Sequence, residues 1–213
     1  MPSLEKRVVF LGSARVGKSS VIDVLMDNTF KKSYSPTNAN VHRHTVEHDG
    51  VTIKMHILDS SGKQNSYGMR NLVARSCDLF VVVYSPDFLG SYQLALKICA
   101  EITEQRGHNV PILVIANKMD LEERKIGQPE AELMFSQWNT FQKDCSAKTG
   151  KGVKDVLEKV LQLLSLKLDD LEDDESLLLH HSGDRQGRMT WRVTEGLRRT
   201  LGKVFSGQRE EHL

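Results

Sequence analysis

One segment of the chain carries the residue types and the spacing needed to bind phosphate. Residues 12–19 read G-S-A-R-V-G-K-S, which fits the pattern G-x-x-x-x-G-K-[ST]. The glycines allow successive backbone amides to point at phosphate oxygens, aided by the N-terminus of the following helix. Lys18 would reach the phosphates as a cation, and Ser19 would offer its hydroxyl to Mg²⁺. The predicted phosphate site comprises Gly12, Ser13, Ala14, Arg15, Val16, Gly17, Lys18, Ser19 and Ser20.

Two later segments indicate that the base is guanine. Residues 117–120 (N-K-M-D) and 146–148 (S-A-K) each follow a predicted strand. An aspartate at position 120 accepts two hydrogen bonds from guanine N1 and N2, and adenine has no such pair of donors. The Ala147 amide would reach the guanine carbonyl, and Lys148 would pack along the base. The predicted base site comprises Asn117, Lys118, Asp120, Ser146, Ala147 and Lys148.

The elements that must position these segments alternate between strands and helices. Strands are predicted at 7–11, 41–47, 51–58, 79–84, 110–116 and 141–145, and helices at 18–26, 65–74, 89–106, 128–138 and 153–168. This alternation predicts an α/β P-loop NTPase fold: a mostly parallel six-stranded sheet with one antiparallel edge strand and helices on both faces. Ligands bind such sheets at the carboxyl ends of the strands, where both segments lie. A glycine-rich turn without a ligand is the alternative for residues 12–19.

With these motifs in this order, the chain resembles the Ras superfamily of small GTPases, and the Ras-like branch most closely, over residues 5–168. The resemblance also covers Phe30, residues 34–37 (Y-S-P-T) and residues 59–62 (D-S-S-G). It implies a switch that binds GTP or GDP with Mg²⁺, and partners that include effectors, exchange factors and activating proteins. It implies nucleotide contacts from Phe30, which stacks on guanine, and from Tyr34, Thr37 and Gly62, and metal contacts from Ser19, Thr37 and Asp59.

Several positions depart from the family pattern and bear on catalysis. Lys63 stands where the family has a glutamine that orients the attacking water, and an ammonium has no acceptor for that water. Ala14 and Arg15 stand at positions where the usual Ras loop has glycine-type residues. The Ala14 methyl would crowd the arginine that an activating protein inserts. Arg15 is either an arginine supplied in cis for catalysis or an exposed side chain. The candidate catalytic residues are Lys18, Thr37, Gly62 and Lys63. We expect slow GTP hydrolysis; a hydrolysis-deficient, GTP-bound adaptor is the alternative, and a P-loop kinase or ATPase is disfavoured by Asp120.

Composition and charge limit the other classes of function. The chain has 213 residues and a net charge of +1, which gives no bias toward nucleic acid. Its three cysteines are too scattered for a disulfide framework or a zinc site. No apolar run is long enough to span a membrane, and neither Pro2 nor the final E-E-H-L fits a lipidation motif. We therefore expect a cytoplasmic monomer without an evident lipid anchor.

The last part of the chain differs sharply from the rest. The predicted domains are a GTPase domain at 1–168, an acidic and polar linker at 169–187, and a basic tail at 188–213. Apolar residues at 193, 197, 201 and 204 have helical spacing among arginines, which favours an amphipathic helix. Such a helix would bind an anionic membrane, making the protein peripheral there, or a calmodulin-like protein. Docking on the GTPase domain and disorder are the alternatives.

Residues 38–44 (N-A-N-V-H-R-H) are neutral to basic, whereas Ras proteins have acidic residues there that meet basic effectors. Such effectors are expected to be poor partners of this chain. His42, His44, His48 and His56 allow two interpretations: a metal or pH-sensing cluster, or polar side chains on the solvated side of an edge strand. We favour the second.

Overall fold

The computed structural model describes residues 3–31, 33, 35, 39–48, 50–61, 77–107, 110–138 and 140–175. The chain divides into two compact units, Met1–Leu171 and Glu172–Leu213, and nearly all described residues belong to the first. Several predictions lie outside the described residues: those for Tyr34, Thr37, Gly62, Lys63, the helix at 65–74 and the basic tail. The division into domains at residue 168 stays a prediction.

A six-stranded sheet forms the centre of the first unit, in the order β2-β3-β1-β4-β5-β6. Its strands are β1 (Ser3–Leu11), β2 (Asn40–His48), β3 (Val51–Asp59), β4 (Leu79–Tyr84), β5 (Ile112–Ala116) and β6 (Thr140–Asp144). All neighbouring pairs are parallel except β2 and β3, which form the hairpin expected around residues 48–50. The predicted fold class, with its single antiparallel edge strand, is confirmed.

Helices cover both faces of the sheet and create two hydrophobic cores. The helices are α1 (Lys18–Asp27), α2 (Leu89–Arg106), α3 (Gln128–Phe135) and α4 (Val153–Glu175), and a 3₁₀ turn (Ser136–Trp138) follows α3. One core joins α1 and α4 to the sheet, and the other joins α2 and α3 to its opposite face. No helix in the described part of the chain is both long enough and apolar enough to cross a membrane.

The central strands explain why their sequences are continuously apolar. In β4, Leu79, Val81 and Val83 enter the first core. The residues between them, Phe80 and Val82, enter the second. Successive side chains of a strand point to opposite faces, so a strand with a helix on either side needs apolar residues at every position. The runs at 79–84 and 110–116 therefore predicted the centre of the sheet correctly.

Several element boundaries differ from those predicted, most of them by one residue, and three have a reason in the structure or the sequence. Strand β1 begins at Ser3, because residues 3–6 pair with β3 on one side only and need no apolar side chains for that pairing. Strand β5 begins at Ile112, one residue after Pro111, whose nitrogen carries no hydrogen to donate. Helix α4 continues past Leu168 into the acidic segment, to Glu175. No glycine or proline interrupts that segment, and leucine and glutamate are good helix formers.

The histidines of the hairpin divide between the two faces of the sheet. His42 and His44 pair with Ile57 and Met55, which belong to the first core, and both are half-buried on that side. His56 lies on the other face, where its Nε2 is 2.9 Å from Glu5 Oε1. The expectation of a solvated face is therefore wrong for His42 and His44. Among the described residues, no group of three or more histidine, cysteine or acidic side chains is placed to hold a metal ion.

The buried cysteines give a prediction about chemical reactivity. Burial raises the pKa of Cys99 and of Cys145 to about 12, so at pH 8 only about one thiol in ten thousand is ionised. Because the thiolate is the reactive form, iodoacetamide should leave both thiols unmodified at pH 8 in the native protein. Mass spectrometry should find both modified once the protein is unfolded in guanidinium chloride. Rapid modification of the native protein at either position would contradict this burial.

Candidate functional site

The predicted phosphate loop follows β1 directly and leads into α1. Gly12 stands at its beginning with φ of +137°. A Cβ built on it would lie 2.1 Å from the carbonyl oxygen of Val83 in the neighbouring strand β4. Only glycine therefore allows the chain to leave the sheet this close to β4. The loop ends at Gly17, the N-cap of α1, whose carbonyl accepts the first hydrogen bond of that helix from the Val21 amide.

Lys18 is folded back into the phosphate loop. Its side chain is only 6% exposed, and Nζ donates to the carbonyl oxygens of Gly12 at 3.0 Å and Ser13 at 2.9 Å. Burial lowers the pKa of Lys18 to about 8, and the charge of Asp59 acts in the opposite direction. A partly desolvated ammonium inside a loop of backbone amides is strongly attracted to an anion. The arrangement therefore suits a phosphate group.

Ser19 and Asp59 bring two oxygen ligands together beside the phosphate loop. Ser19 Oγ donates to Asp59 Oδ2 at 2.6 Å, and Asp59 comes from the carboxyl end of β3. Asp59 is 1% exposed, and its other oxygen, Oδ1, is buried without a hydrogen-bond partner among the residues that the structure describes. Burial raises the pKa of Asp59, opposed by the Ser19 hydrogen bond and the Lys18 charge. A hard divalent cation fits this donor set, because it would satisfy the buried oxygen and favour the ionised carboxylate.

Asn117 joins the phosphate loop to the predicted base loop. It lies after the end of β5, is 2% exposed, and donates through Nδ2 to the carbonyl oxygen of Val16 at 2.9 Å. Its Oδ1 accepts a hydrogen bond from the backbone amide of Ala147 at 3.0 Å. One side chain therefore holds together three segments that are far apart in the sequence. Sequence analysis predicted Asn117 as a nucleotide contact but did not predict this bridge.

Asp120 is held in place at the carboxyl end of the sheet by two side chains of the next loop. Its Oδ1 accepts a hydrogen bond from Ser146 Oγ at 2.6 Å, and its Oδ2 lies 3.3 Å from Lys148 Nζ. The Ser146 hydrogen bond holds the pKa of Asp120 below its ordinary value, so the carboxylate stays ionised at neutral pH. Each carboxylate oxygen can accept a further hydrogen bond. Asp120 is thus oriented and able to accept from a base.

The other predicted base contacts are placed less directly. The Ala147 amide, which was expected to reach a guanine carbonyl, instead donates to Asn117. Lys148 pairs with Asp120, and its side chain is 66% exposed. Phe30 is 40% exposed after the end of α1, as an aromatic ring that stacks on a ligand would be. The structure brings together the predicted residues of the phosphate and base loops, while Tyr34, Thr37, Gly62 and Lys63 are outside the described residues.

Gly152 is a positioning residue that sequence analysis missed. Its φ is +75°, and a Cβ built on it would lie 2.3 Å from the carbonyl oxygen of Asp144 at the end of β6. It packs there beneath the loop 146–151, in which the amide of Ser146 donates to the carbonyl of Lys151 at 2.9 Å. A larger residue would displace the loop that orients Asp120. In the sequence, the pair of glycines at 150 and 152, just after residues 146–148, is the feature that could have pointed to this role.

Comparison with known proteins agrees with this geometry. The sequence model of the Ras family matches residues 7–165. The chain belongs to the Ras family. It is 31% identical over 172 residues to the Ras-related protein Ral-a of Drosophila melanogaster, covering 79% of this chain and 85% of that protein. It is 30% identical over 166 residues to the GTP-binding protein YPT53 of Saccharomyces cerevisiae, covering 74% of this chain and 76% of that protein.

Family membership establishes the general activity of the chain. As a Ras-family protein it is a small GTP-binding switch with the GTPase activity of its family. Ras-family proteins bind GTP and GDP, generally with Mg²⁺, and they bind regulators and effectors. The match includes both the phosphate loop and the base loops described above, so their geometry can be read in terms of this activity.

The Asn117 bridge of this Ras-family protein gives a prediction about stability. In Asn117→Ala the carbonyl of Val16 and the amide of Ala147 lose their partner in a buried place. Each such loss costs about 1–3 kcal/mol, so the two together should lower the free energy of unfolding by roughly 2–6 kcal/mol. Urea unfolding with bound GDP removed would measure the change.

A surface amide provides the control for this prediction. The side chain of Gln142 donates to the carbonyl of Glu132 at 3.3 Å. Gln142→Ala should therefore change the free energy of unfolding by no more than about 0.5 kcal/mol. Equal effects of the two substitutions would show that Asn117 is not a bridge between the loops.

Proposed function

We propose that the chain is a GTP/GDP-controlled signalling switch in which the loops joined by Asn117 hold the nucleotide, and in which GTP hydrolysis is slow. The observation that carries the nucleotide site is the double hydrogen bond of Asn117, to Val16 in the phosphate loop and to Ala147 in the base loop. This bridge sets the distance between the part of the site for phosphate and the part for base. The residues proposed to bind nucleotide are Gly12, Ser13, Ala14, Arg15, Val16, Gly17, Lys18, Ser19, Ser20, Phe30, Tyr34, Thr37, Gly62, Asn117, Lys118, Asp120, Ser146, Ala147 and Lys148.

Each half of the site has a chemical role. The amides of the phosphate loop and Lys18 would bind the phosphates, where Lys18 would exchange one of its backbone acceptors for a phosphate oxygen. Asp120 would accept the N1 and N2 hydrogens of guanine while Ser146 keeps it oriented. The Ala147 amide would donate to the guanine carbonyl in one of two ways. It would either share its hydrogen between that carbonyl and Asn117 Oδ1, or give up its hydrogen bond to Asn117. Guanine is favoured because adenine would leave the ionised Asp120 without donors.

Mg²⁺ would be held by Ser19 and Asp59, with Thr37 as a further ligand in the GTP state. The unpartnered Oδ1 of Asp59 and the short hydrogen bond from Ser19 support this assignment. The ion supplies positive charge for the phosphate oxygens when bound. The hydroxyl of Ser19 and the carboxylate of Asp59 would hold the ion beside the phosphate loop.

Slow hydrolysis rests on two sequence positions. Lys63 replaces the residue that orients the attacking water, and it has no acceptor with which to do so. Ala14 adds a methyl group at the half-buried phosphate loop, where an activating arginine would have to enter. The alternative function, a GTP-bound adaptor without turnover, is favoured by the same two residues. A working switch is favoured by the intact pairing of Ser19 with Asp59.

The nucleotide found on the purified protein separates the two functions. The protein is denatured as isolated from cells, and the released nucleotide is identified by ion-exchange chromatography. Because slow hydrolysis still goes to completion during a preparation of hours, the switch is expected to release mostly GDP. Mostly GTP would favour the adaptor, and an adenine nucleotide or none would contradict the proposed site.

The role of Lys63 is tested by single-turnover hydrolysis of GTP. Lys63→Gln restores an acceptor for the water and should raise the rate by at least about tenfold, equivalent to 1.4 kcal/mol of barrier. Lys97→Gln, at an exposed position of α2, provides the matched control and should leave the rate unchanged. An unchanged rate in Lys63→Gln would show that the lysine does not limit hydrolysis.

A further inference from the structure

Arg15 has a backbone conformation that disfavours its side chain. Among the described residues, the non-glycine residues with positive φ are Arg15 at +64°, Asn28 at +51° and Lys118 at +69°. For a residue with a Cβ, this left-handed region is less favourable than the ordinary ones, and glycine adopts it freely. The phosphate loop already has glycines at positions 12 and 17. An arginine that keeps such a conformation in a binding loop suggests that its side chain has a function there.

Hydrogen bonds to residues on both sides of Arg15 fix the loop around it. On one side, Lys18 donates to the carbonyl of Ser13, which closes the loop from within. On the other side, the neighbouring Val16 accepts the hydrogen bond from Asn117 at 2.9 Å. Arg15 therefore lies next to the point where the phosphate loop meets the base loop. A side chain that starts there can reach a nucleotide bound across both loops.

Two exposed or half-exposed cations flank this junction. Arg15 is exposed, and Lys118, which follows Asn117 directly, is half-buried. Lys18, which also belongs to the phosphate loop, is buried inside it. A nucleoside diphosphate brings several negative charges into this place. A guanidinium suits them because its planar group donates to two phosphate oxygens at once.

We propose that the Arg15 guanidinium binds the phosphates of GDP and GTP from the solvent side and slows their release. This inference rests on the proposed nucleotide site and adds a side-chain contact to the backbone contacts of the phosphate loop. The attraction acts on bound GDP as well as on GTP, so Arg15 retains nucleotide and is not a catalytic residue. Because the side chain is exposed, dissolved salt should weaken its contribution.

The test measures how fast fluorescent GDP leaves the full-length protein after excess unlabelled GDP is added in the presence of Mg²⁺. Three variants separate charge from backbone strain. Arg15→Ala removes the charge and keeps a Cβ, Arg15→Gly removes the charge and the strain, and Arg15→Lys keeps the charge without the planar donors. Lys97→Ala, at an exposed position of α2, is the control for the loss of one positive charge elsewhere.

At about 50 mM salt we expect GDP to leave Arg15→Ala and Arg15→Gly about 3- to 10-fold faster than the wild type. Arg15→Lys should lie between them and the wild type, and Lys97→Ala should match the wild type. At about 500 mM salt the differences should shrink to less than twofold, because exposed charges are screened. Melting without nucleotide should show Arg15→Gly to be more stable than Arg15→Ala.

Other outcomes would overturn the inference in recognisable ways. If Arg15→Ala and Arg15→Gly release GDP as slowly as the wild type, the exposed Arg15 side chain does not bind the phosphates. If the release is unchanged but single-turnover hydrolysis slows, Arg15 is a cis arginine acting on the reaction. Equilibrium binding of GDP to the wild type is measured first. If the wild type does not bind GDP, the proposed function itself fails, whereas normal wild-type binding with unaffected variants removes only the role of Arg15.

Discussion

The variant Lys18→Met is expected to bind GDP and GTP at least about 100-fold more weakly than the wild type. Lys18 is the buried cation of the phosphate loop, and loss of its charge-assisted contacts with phosphate removes about 3 kcal/mol or more of binding free energy. The fold should not weaken in parallel. A pKa lowered by burial to about 8 means that the site disfavours the ammonium relative to water, so a neutral side chain of similar length relieves a cost that offsets the loss of a donor to the Gly12 and Ser13 carbonyls.

Two measurements on the same variant separate binding from folding. Isothermal titration with GDP should show the loss of affinity, and thermal melting without nucleotide should show a midpoint equal to or above that of the wild type. Lys154→Met is the matched control, because the Lys154 side chain is 87% exposed on α4, and it should leave both quantities unchanged. A lower melting midpoint with normal affinity would show that Lys18 stabilises the loop and does not bind phosphate.

The variant Asp120→Asn is expected to change the base that the site accepts. The side-chain amide cannot accept both the N1 and N2 hydrogens of guanine, and a charged acceptor is lost, so GDP affinity should fall about 100-fold or more. Xanthine has an oxygen at C2 in place of the amino group. The new amide can donate to that oxygen while its carbonyl accepts from N1, so xanthosine diphosphate should bind the variant more tightly than GDP does.

The neighbouring serine provides a control for this change of specificity. Ser146→Ala removes the 2.6 Å hydrogen bond that orients Asp120 but leaves the carboxylate ionised at neutral pH. It should weaken binding of GDP without favouring xanthosine diphosphate. Competition of both diphosphates against fluorescent GDP measures the ratio of affinities. If Asp120→Asn weakened both nucleotides equally, Asp120 would position the loop and would not read the base.

Local patterns in the sequence predicted the binding segments and most of the elements around them. The segment 12–19 could be recognised because its chemistry needs contiguous residues at set spacing, and 117–120 because it follows a fully apolar strand. The central strands were recognised for a related reason. A strand with helices on both sides must be apolar at each position. Every residue of β4 and β5 is apolar and buried.

Other features depend on what approaches a residue in space, which spacing along the chain does not contain. Strand β1 begins at Ser3 because β3 lies beside it, and His44 is half-buried because its partner Met55 faces the first core. Gly152 is needed because the carbonyl of Asp144 passes 2.3 Å from where a Cβ would stand.

The sequence alone determined that this chain belongs to the Ras family, and it predicted a phosphate loop, an aspartate for guanine and departures from the family pattern at Ala14, Arg15 and Lys63. These are properties of side chains at set spacing, so they are visible without coordinates. Only the tertiary structure decided how the parts are joined. Asn117 bridges Val16 and Ala147, residues from three separate parts of the chain, because parallel strands bring their carboxyl ends to one edge of the sheet. The strain at Arg15 is likewise visible only from its φ of +64°.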